Sequence, residues 1–380
     1  MSNDVPLPPT ARTFVAKPSY RPPGSFRAFY VSPSWLSGEA PVGGVIAIKG
    51  MEPAAGDFAA ALHDLRQPCY SPHNIAEHLV FEERKIPGAV TVSEARREAE
   101  RATVVQSGHW RHYGRLARLP LPLFVFRHAA ETEARTIEAL RRELSEPALA
   151  VIEPALAGGL GVYAYYYPAP PVRVRDVETM LAGLDFRQRM FALMSACEPG
   201  DVVRRWISTF VRILHLGMLP GTLASLRTGV CCQPQNACLD GGFVDLDSLT
   251  PFNAMPDDAA VYAGLHMSTD SLVDTVRALI TGSHDPTRAE GSPGRFDCRF
   301  VEQYVLGAID EALATESRPT LTLDPRARTY FSRQQSFEAL VDGLSAYYPP
   351  AAPGFSQDVQ RFGEFGFALF RAACRPLLDS

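Results

Sequence analysis

The segment from residue 229 to residue 247, GVCCQPQNACLDGGFVDLD, constrains the local fold more than any other part of the chain. Its Gly-Gly pair supplies the turn of a tight hairpin, and the apolar residues that follow predict a β-strand. Such a hairpin would bring Asn236 close to Asp245, and on a strand Asp247 would share a face with Asp245. An amide oxygen beside carboxylates suits Mg²⁺. The alternative is an ordinary hairpin with solvated acids.

Composition is that of a soluble globular protein. The chain has 380 residues, 46% of them hydrophobic and 21% charged, with a formal net charge of −5. Because phosphate contacts depend on Lys and Arg, this charge argues against a nucleic-acid partner. The scattered cysteines fit a reducing cytoplasm better than a disulfide framework. The first residues lack a secretory pattern, so we expect a cytoplasmic protein with no membrane partner and leave its oligomeric state open.

The order of predicted elements divides the chain into three parts. Residues 1–25 carry six prolines and predict an extended tail. Residues 26–168 predict a strand-rich part, and residues 169–380, which begin in a Pro-rich break, predict a mostly helical part. The predicted strands are at 26–32, 42–50, 119–126 and 161–167. The predicted helices are at 58–65, 74–81, 92–106 with Ser93 as N-cap, 131–144, 202–219, 271–281, 300–314, 336–347 and 359–378. The pattern therefore indicates an α+β fold.

Two charged residues of the strand-rich part are candidates for chemistry. Lys49 ends an apolar strand. Its aliphatic stem either carries the ammonium out to solvent, or the ammonium binds an anion. Glu98 stands beside a stripe of alanines at helical spacing, so we expect it to face inward and to pair with Lys49. Glu52 and Glu77 are alternative partners. A solvated helix face is the competing interpretation for Glu98.

In the order of its parts, the sequence resembles the protein-kinase-like superfamily in its divergent branches. The segment REAERA…ARLPLPLFVFR is similar to the helix and following strand of aminoglycoside-phosphotransferase-type kinases. ISTFVRILHLGML is similar to the long helix before their catalytic loop. QPQNACLDGGFVDLD is similar to a metal-binding Asn followed by a hydrophobic-Asp strand. The resemblance spans residues 42–250 by order of parts rather than by identity.

This resemblance implies a bilobal fold and an ATP- and Mg²⁺-dependent enzyme that acts on a small-molecule substrate. It implies that Lys49 binds nucleotide phosphates and that Glu98 holds the lysine. Tyr167, where the last strand runs into the Pro-rich hinge, would contact the nucleotide. The implied metal ligands are Asn236, Asp245 and Asp247.

The chain also departs from the kinase pattern. The position five residues before Asn236, an Asp in kinases, is Cys231, which cannot replace a carboxylate base. Gln235 stands where selenoprotein O-type adenylyltransferases carry an acid, and a Gln before the Asn is similar to aerobactin-type siderophore synthetases, which adenylate carboxylates. We therefore count Gln235 among the catalytic candidates.

These departures favour nucleotidyl transfer or acid activation over plain phosphorylation, because an ionised acceptor oxygen needs no base. One alternative is a non-catalytic pseudokinase that binds a nucleotide or a partner protein. A third hypothesis is an unrelated α+β enzyme that uses the cysteines at 231, 232 and 238.

Overall fold

The computed structural model of the protein describes residues 19–20, 28–31, 44–50, 86, 89–168, 171–180, 188, 197–221, 231–256, 258–281, 307–308 and 311. These residues form an α+β structure of strands and helices. They fall into two compact units. One unit contains the described residues up to Thr103 and from Pro120 to Pro168, and the other contains Val104–Leu119 and the residues from Pro171 onward.

Several predicted features lie outside the described residues. They are most of the tail at 1–25, the helices at 58–65, 74–81, 336–347 and 359–378, most of the helix at 300–314, and the alternative partners Glu52 and Glu77. None of the helices in the described part of the chain combines the length and the apolar character needed to cross a bilayer.

A six-stranded antiparallel sheet forms the core of the strand-rich unit. Its strands are β1 (Ser19–Tyr20), β2 (Ala28–Val31), β3 (Val45–Lys49), β4 (Val90–Thr91), β5 (Leu121–Arg127) and β6 (Leu160–Tyr167). The order is β1-β2-β3-β6-β4, and β5 also pairs with β6. β6 is thus the central strand, and seven of its eight residues are buried. The four strands predicted from the sequence are all present, as β2, β3, β5 and β6.

The two faces of the β3–β6 pair are chemically different. One face carries the aliphatic cluster of Ile46, Ile48, Val162 and Ala164. Side chains alternate along a strand, so the opposite face carries Lys49 and the tyrosines of β6 at alternate positions. The pairing register places Lys49 opposite Tyr163 and places Ala47 opposite Tyr165. The sheet therefore sets a lysine among buried aromatic rings.

Helix α1 (Val92–Tyr113) follows β4 and begins with a capping box. The hydroxyl of Thr91 accepts a hydrogen bond from the backbone N–H of Glu94 at 3.1 Å, and the carboxylate of Glu94 accepts one from the backbone N–H of Thr91 at 2.8 Å. The predicted cap, Ser93, is wrong, because the reciprocal bonds require an acid three residues after the cap. α1 also runs further than the predicted end at residue 106. Residues 92–103 belong to the strand-rich unit and residues 104–113 to the helical unit.

Helices α2 (Ala130–Glu143) and α3 (Glu146–Leu156) complete the strand-rich unit. α2 was predicted, whereas α3 was not. The two helices bury one apolar cluster together with the start of β6. The described residues of this cluster are Ile86, Ala89, Leu140, Leu144, Ala148, Ile152 and Leu160.

The helical unit contains α4 (Val174–Met180), α5 (Pro199–His215) and α6 (Asp258–Thr281), with a two-stranded sheet of β7 (Met218–Leu219) and β8 (Thr250–Pro251). α5 buries the apolar face that its sequence predicts, including Trp206 and Phe210. It ends before the predicted residue 219, because Gly217 adopts φ +73° and the chain then enters β7. α6 is longer than the predicted helix at 271–281.

Candidate functional site

Lys49 and Glu98 form a buried ion pair in the strand-rich unit. The Nζ of Lys49 donates to both carboxylate oxygens of Glu98 at 2.8 Å. The side chains are only 9% and 5% exposed. Removing two charges from water costs several kcal/mol, and an apolar pair would avoid that cost. A buried pair of this kind is therefore weak evidence for stability, and Lys49 and Glu98 remain candidates for a functional role.

The backbone directly after Lys49 is constrained at Gly50. Gly50 adopts φ +76°, and a Cβ added there would lie 2.4 Å from the carbonyl oxygen of Gly161. The Nε2 of His128 donates to the carbonyl oxygen of Gly50 at 2.6 Å, since a carbonyl can only accept. The ring of Tyr165 lies on the same face, with its centroid 6.0 Å from the Nζ of Lys49. These contacts hold the ammonium in one place.

Glu98 reaches Lys49 because α1 presents one buried stripe. Ala95, Glu98 and Ala102 follow one another at helical spacing, and each is at most 4% exposed. Glu94, one turn earlier, is occupied by the capping box. The predicted inward orientation of Glu98 and its pairing with Lys49 are present. The role of this pair toward a nucleotide stays a prediction.

Tyr167 is the last residue of β6 and is fully buried. It pairs with Val45 in the sheet, four residues before Lys49. The described chain continues to Pro168 and resumes at Pro171. Contact of Tyr167 with a nucleotide stays a prediction.

In the helical unit, the predicted hairpin forms a short antiparallel contact rather than a ladder. Ala237 and Phe243 make an isolated bridge, and Gly241 takes φ +92° in the turn. The backbone N–H of Val244 donates to the carbonyl of Asn236 at 2.9 Å. Asn236 therefore stands opposite the residue that precedes Asp245. Its side chain is buried, with the residue 4% exposed.

The predicted strand for the two acids is wrong. Asp245 adopts φ 62° and ψ 63°, and residues 246–248 form a 3₁₀ helix. A left-handed residue followed by a helical turn breaks the two-residue alternation, so Asp245 and Asp247 do not share a strand face. Asp245 is half-buried, whereas Asp247 is buried at 5% exposure.

The conformation of Asp245 is itself informative. Among the described residues, it is the one residue other than Gly with a positive φ. This region costs most L-residues about 1–2 kcal/mol, and Asp is among the few that tolerate it. Strain of this kind persists where the surrounding fold enforces it and clusters at functional sites. The outlier therefore supports a functional role for Asp245.

The residues around Asn236 supply no carboxylate base at the predicted position. Cys231 is fully buried, and its backbone N–H donates to the hydroxyl of Ser248 at 2.9 Å. Gln235 is half-buried, and its side-chain amide donates to the side-chain oxygen of Gln233. A buried thiol and an amide cannot take a proton as a kinase Asp does. The local chemistry is that of orientation and hydrogen bonding.

The oxygen donors near the hairpin fit Mg²⁺ only together with a phosphate ligand. Within the described ranges, no group of three or more His, Cys, Asp and Glu residues could hold a metal by itself. Mg²⁺ that accompanies a nucleotide needs only one or two carboxylates, because phosphate oxygens and water complete its shell. Asp245 carries one carboxylate and Asn236 one amide oxygen in this loop, and the metal role of Asn236, Asp245 and Asp247 stays a prediction.

A buried pair that sequence analysis missed lies at the start of α4. The carboxylate of Asp176 accepts hydrogen bonds from the backbone N–H of Arg173 at 3.0 Å and from its Nε and Nη2, each at 3.1 Å. The side chains are 11% and 9% exposed. The one available sequence signal was an acid at the third position of a helix that follows a Pro-rich break.

No protein-family model, curated protein or solved structure matches this chain. Its class is consequently argued from the buried lysine–glutamate pair and from the geometry around Asn236 and Asp245.

Proposed function

We propose that this protein is an ATP- and Mg²⁺-dependent transferase or ligase of kinase-like, bilobal fold that acts on a small molecule. The observation that carries the proposal is the buried ion pair of Lys49 and Glu98 at the end of β3. A lysine held in this way presents a fixed positive charge suited to nucleotide phosphates. The order of parts supports the same reading, since β3 is followed by the acid-bearing α1, then β5 and the central β6.

The helical unit would supply the metal ligands. Asn236 and Asp245 offer an amide oxygen and a carboxylate from a short, constrained loop, and Asp247 is the proposed second acid. When bound, Mg²⁺ would neutralise charge on the phosphates. Gln235 would donate a hydrogen bond to the phosphate or to the acceptor. Tyr167 would contact the base of the nucleotide.

Nucleotidyl transfer or acid activation is favoured over phosphorylation of a hydroxyl group. A hydroxyl acceptor must lose its proton, and the position of the kinase base is the buried Cys231. A carboxylate acceptor is already ionised at neutral pH. Its oxygen can attack the α-phosphorus and expel pyrophosphate without proton removal. An enzyme that transfers a nucleotidyl group to a carboxylate could therefore be active without a base at this position.

A non-catalytic pseudokinase is the second candidate. The missing acids favour it too. Cys231 stands where kinases carry the Asp base, and Gln235 stands where selenoprotein O-type adenylyltransferases carry an acid. Such a protein would bind a nucleotide or a partner protein without turnover. Nucleotide binding alone therefore does not separate the two candidates.

A nucleotide thermal-shift screen with and without Mg²⁺ tests the proposal. Ligand at 100 times its dissociation constant stabilises the folded state by about 2.7 kcal/mol. We expect ATP with Mg²⁺ to raise the melting temperature of the wild type but not of the Lys49→Met variant. Exposed Arg135→Met is the control for loss of a surface cation. If no nucleoside triphosphate shifts the wild type, the proposal is wrong.

Product analysis then separates the reaction types. Release of pyrophosphate with a carboxylic acid acceptor indicates nucleotidyl transfer, and release of ADP indicates phosphoryl transfer. Binding with neither product across candidate acceptors favours the pseudokinase.

A further inference from the structure

The buried pair of Arg173 and Asp176 closes a compact ring at the start of α4. Asp176 accepts three hydrogen bonds from Arg173, one of them from its backbone, so the carboxylate fixes both the side chain and the chain path of that residue. Both side chains are about nine-tenths buried, so removal of Asp176 would take from the buried guanidinium the carboxylate that binds it.

The same backbone segment is bonded to the loop that carries Asn236. The N–H groups of Val174 and Arg175 donate to the carbonyls of Ala237 and Pro234, each at 3.0 Å. The N–H of Leu239 donates to the carbonyl of Val172 at 2.8 Å, and Arg173 forms an antiparallel bridge with Cys238. Asn236 is thus flanked on both sides in sequence by residues anchored to this segment.

We propose that Asp176, through Arg173, is a positioning residue for Asn236. It keeps the segment 172–175 in the one path that can bond the loop at 234–239, and so aims the Asn236 amide at a bound divalent cation. This inference rests on the proposed function of Asn236 as a metal ligand. Residues that orient a metal ligand from behind typically contribute about 10- to 100-fold in metal affinity.

The test uses Mn²⁺ as the probe. Its binding is measured by electron paramagnetic resonance in the presence of a non-hydrolysable ATP analogue. Full-length wild type is compared with Asp176→Ala and with the double variant Arg173→Ala/Asp176→Ala. The matched control is Asp201→Ala, which breaks an Asp–Arg pair of the same spacing on α5 whose side chains are 46% and 40% exposed. All measurements are made well below the melting temperature of each variant.

We expect Asp176→Ala to weaken Mn²⁺ binding about 10- to 100-fold. The affinity for the analogue without metal should not change. General destabilisation would instead weaken the binding of both the metal and the analogue. The double variant should bind Mn²⁺ as weakly as Asp176→Ala, because it also lacks the carboxylate that fixes the path of residues 172–175. Asp201→Ala should be indistinguishable from wild type, because exposed pairs contribute little.

Unchanged Mn²⁺ affinity in Asp176→Ala, together with lost affinity in Asn236→Ala, would overturn the positioning role and leave the proposed function intact. If the wild type binds no Mn²⁺ at all, the proposed function fails instead. Amide hydrogen exchange then tests the positioning contact by itself. Faster exchange at Val174, Arg175 and Leu239 in Asp176→Ala supports it, because these N–H groups donate across the contact, and unchanged protection at all three overturns it.

Discussion

The ammonium of Lys49 lies 2.8 Å from each carboxylate oxygen of Glu98, although the two residues are 49 positions apart and both are buried. The lysine comes from the end of a sheet strand and the acid from the inner stripe of a capped helix. Such a pair is costly to bury, whereas an apolar contact at the same place would avoid that cost. That cost is the physical reason to look for an anionic ligand at Lys49.

The first prediction concerns this pair. Glu98→Gln should lower the free energy of unfolding by about 3 kcal/mol, because it removes the carboxylate that accepts two hydrogen bonds from a buried ammonium. Urea denaturation measures the change. Glu100→Gln, on the exposed face of α1, should have almost no effect. The double variant Lys49→Met/Glu98→Leu should recover the stability but not Mg²⁺-ATP binding. Retained binding in the double variant would show that the pair is purely structural.

The second prediction concerns Asp245. Asp245→Ala and Asp245→Gly both remove the carboxylate, so both should abolish the Mg²⁺-dependent thermal shift. Their effects on the free energy of unfolding should differ. At φ 62° an Ala should lower the free energy of unfolding by about 1 kcal/mol, whereas Gly should leave it unchanged or raise it by up to about 1 kcal/mol. Calorimetry without ligand gives both values. A Gly variant that still binds Mg²⁺-ATP would remove Asp245 from the metal site.

The third prediction compares two glycines that both have a positive φ. Gly50→Ala should cost about 3 kcal/mol, because it adds a contact 2.4 Å from the Gly161 carbonyl oxygen to the conformational strain. Gly114→Ala should cost only about 1 kcal/mol, since an added Cβ has no neighbour within 4 Å in the described part of the chain. Chemical denaturation checks both values. Equal costs would mean that the backbone at Gly50 relaxes freely and does not fix Lys49.

The fourth prediction concerns the cysteines. Burial, aided by the negative charge of Glu198, raises the pKa of the Cys197 thiol to about 11. At pH 8 its thiolate fraction is therefore only about 0.1%, and alkylation by iodoacetamide should be slow. Cys231, Cys232 and Cys238 are fully buried and should also stay unlabelled in the native protein. Peptide mass spectrometry before and after denaturation reads all four sites. Rapid native labelling at Cys231, or stoichiometric zinc, would favour the alternative of a cysteine-based α+β enzyme.

Local pattern predicted the elements well where periodicity was strong. The apolar run before Lys49 and the alanine stripe around Glu98 each placed a residue on the correct face. Prediction was wrong where a single backbone angle changed the outcome. The residues after Gly242 alternate like a strand, yet the left-handed turn at Asp245 converts them to a 3₁₀ helix. The cap of α1 is Thr91 rather than Ser93 for a different reason, since Thr91 and Glu94 exchange reciprocal hydrogen bonds.

By itself, the sequence determined that a strand-rich part precedes a mostly helical part, that Lys49 ends a buried strand and that Glu98 faces inward. These properties follow from hydrophobic periodicity, which acts over a few neighbouring residues. Only the tertiary structure decided that Lys49 meets Glu98, that the Asn236 loop is bonded to the segment beside Arg173 and Asp176, and that Asp245 takes a strained conformation. The first two depend on contacts between residues distant in sequence and the third on a single backbone angle, and hydrophobic periodicity specifies neither.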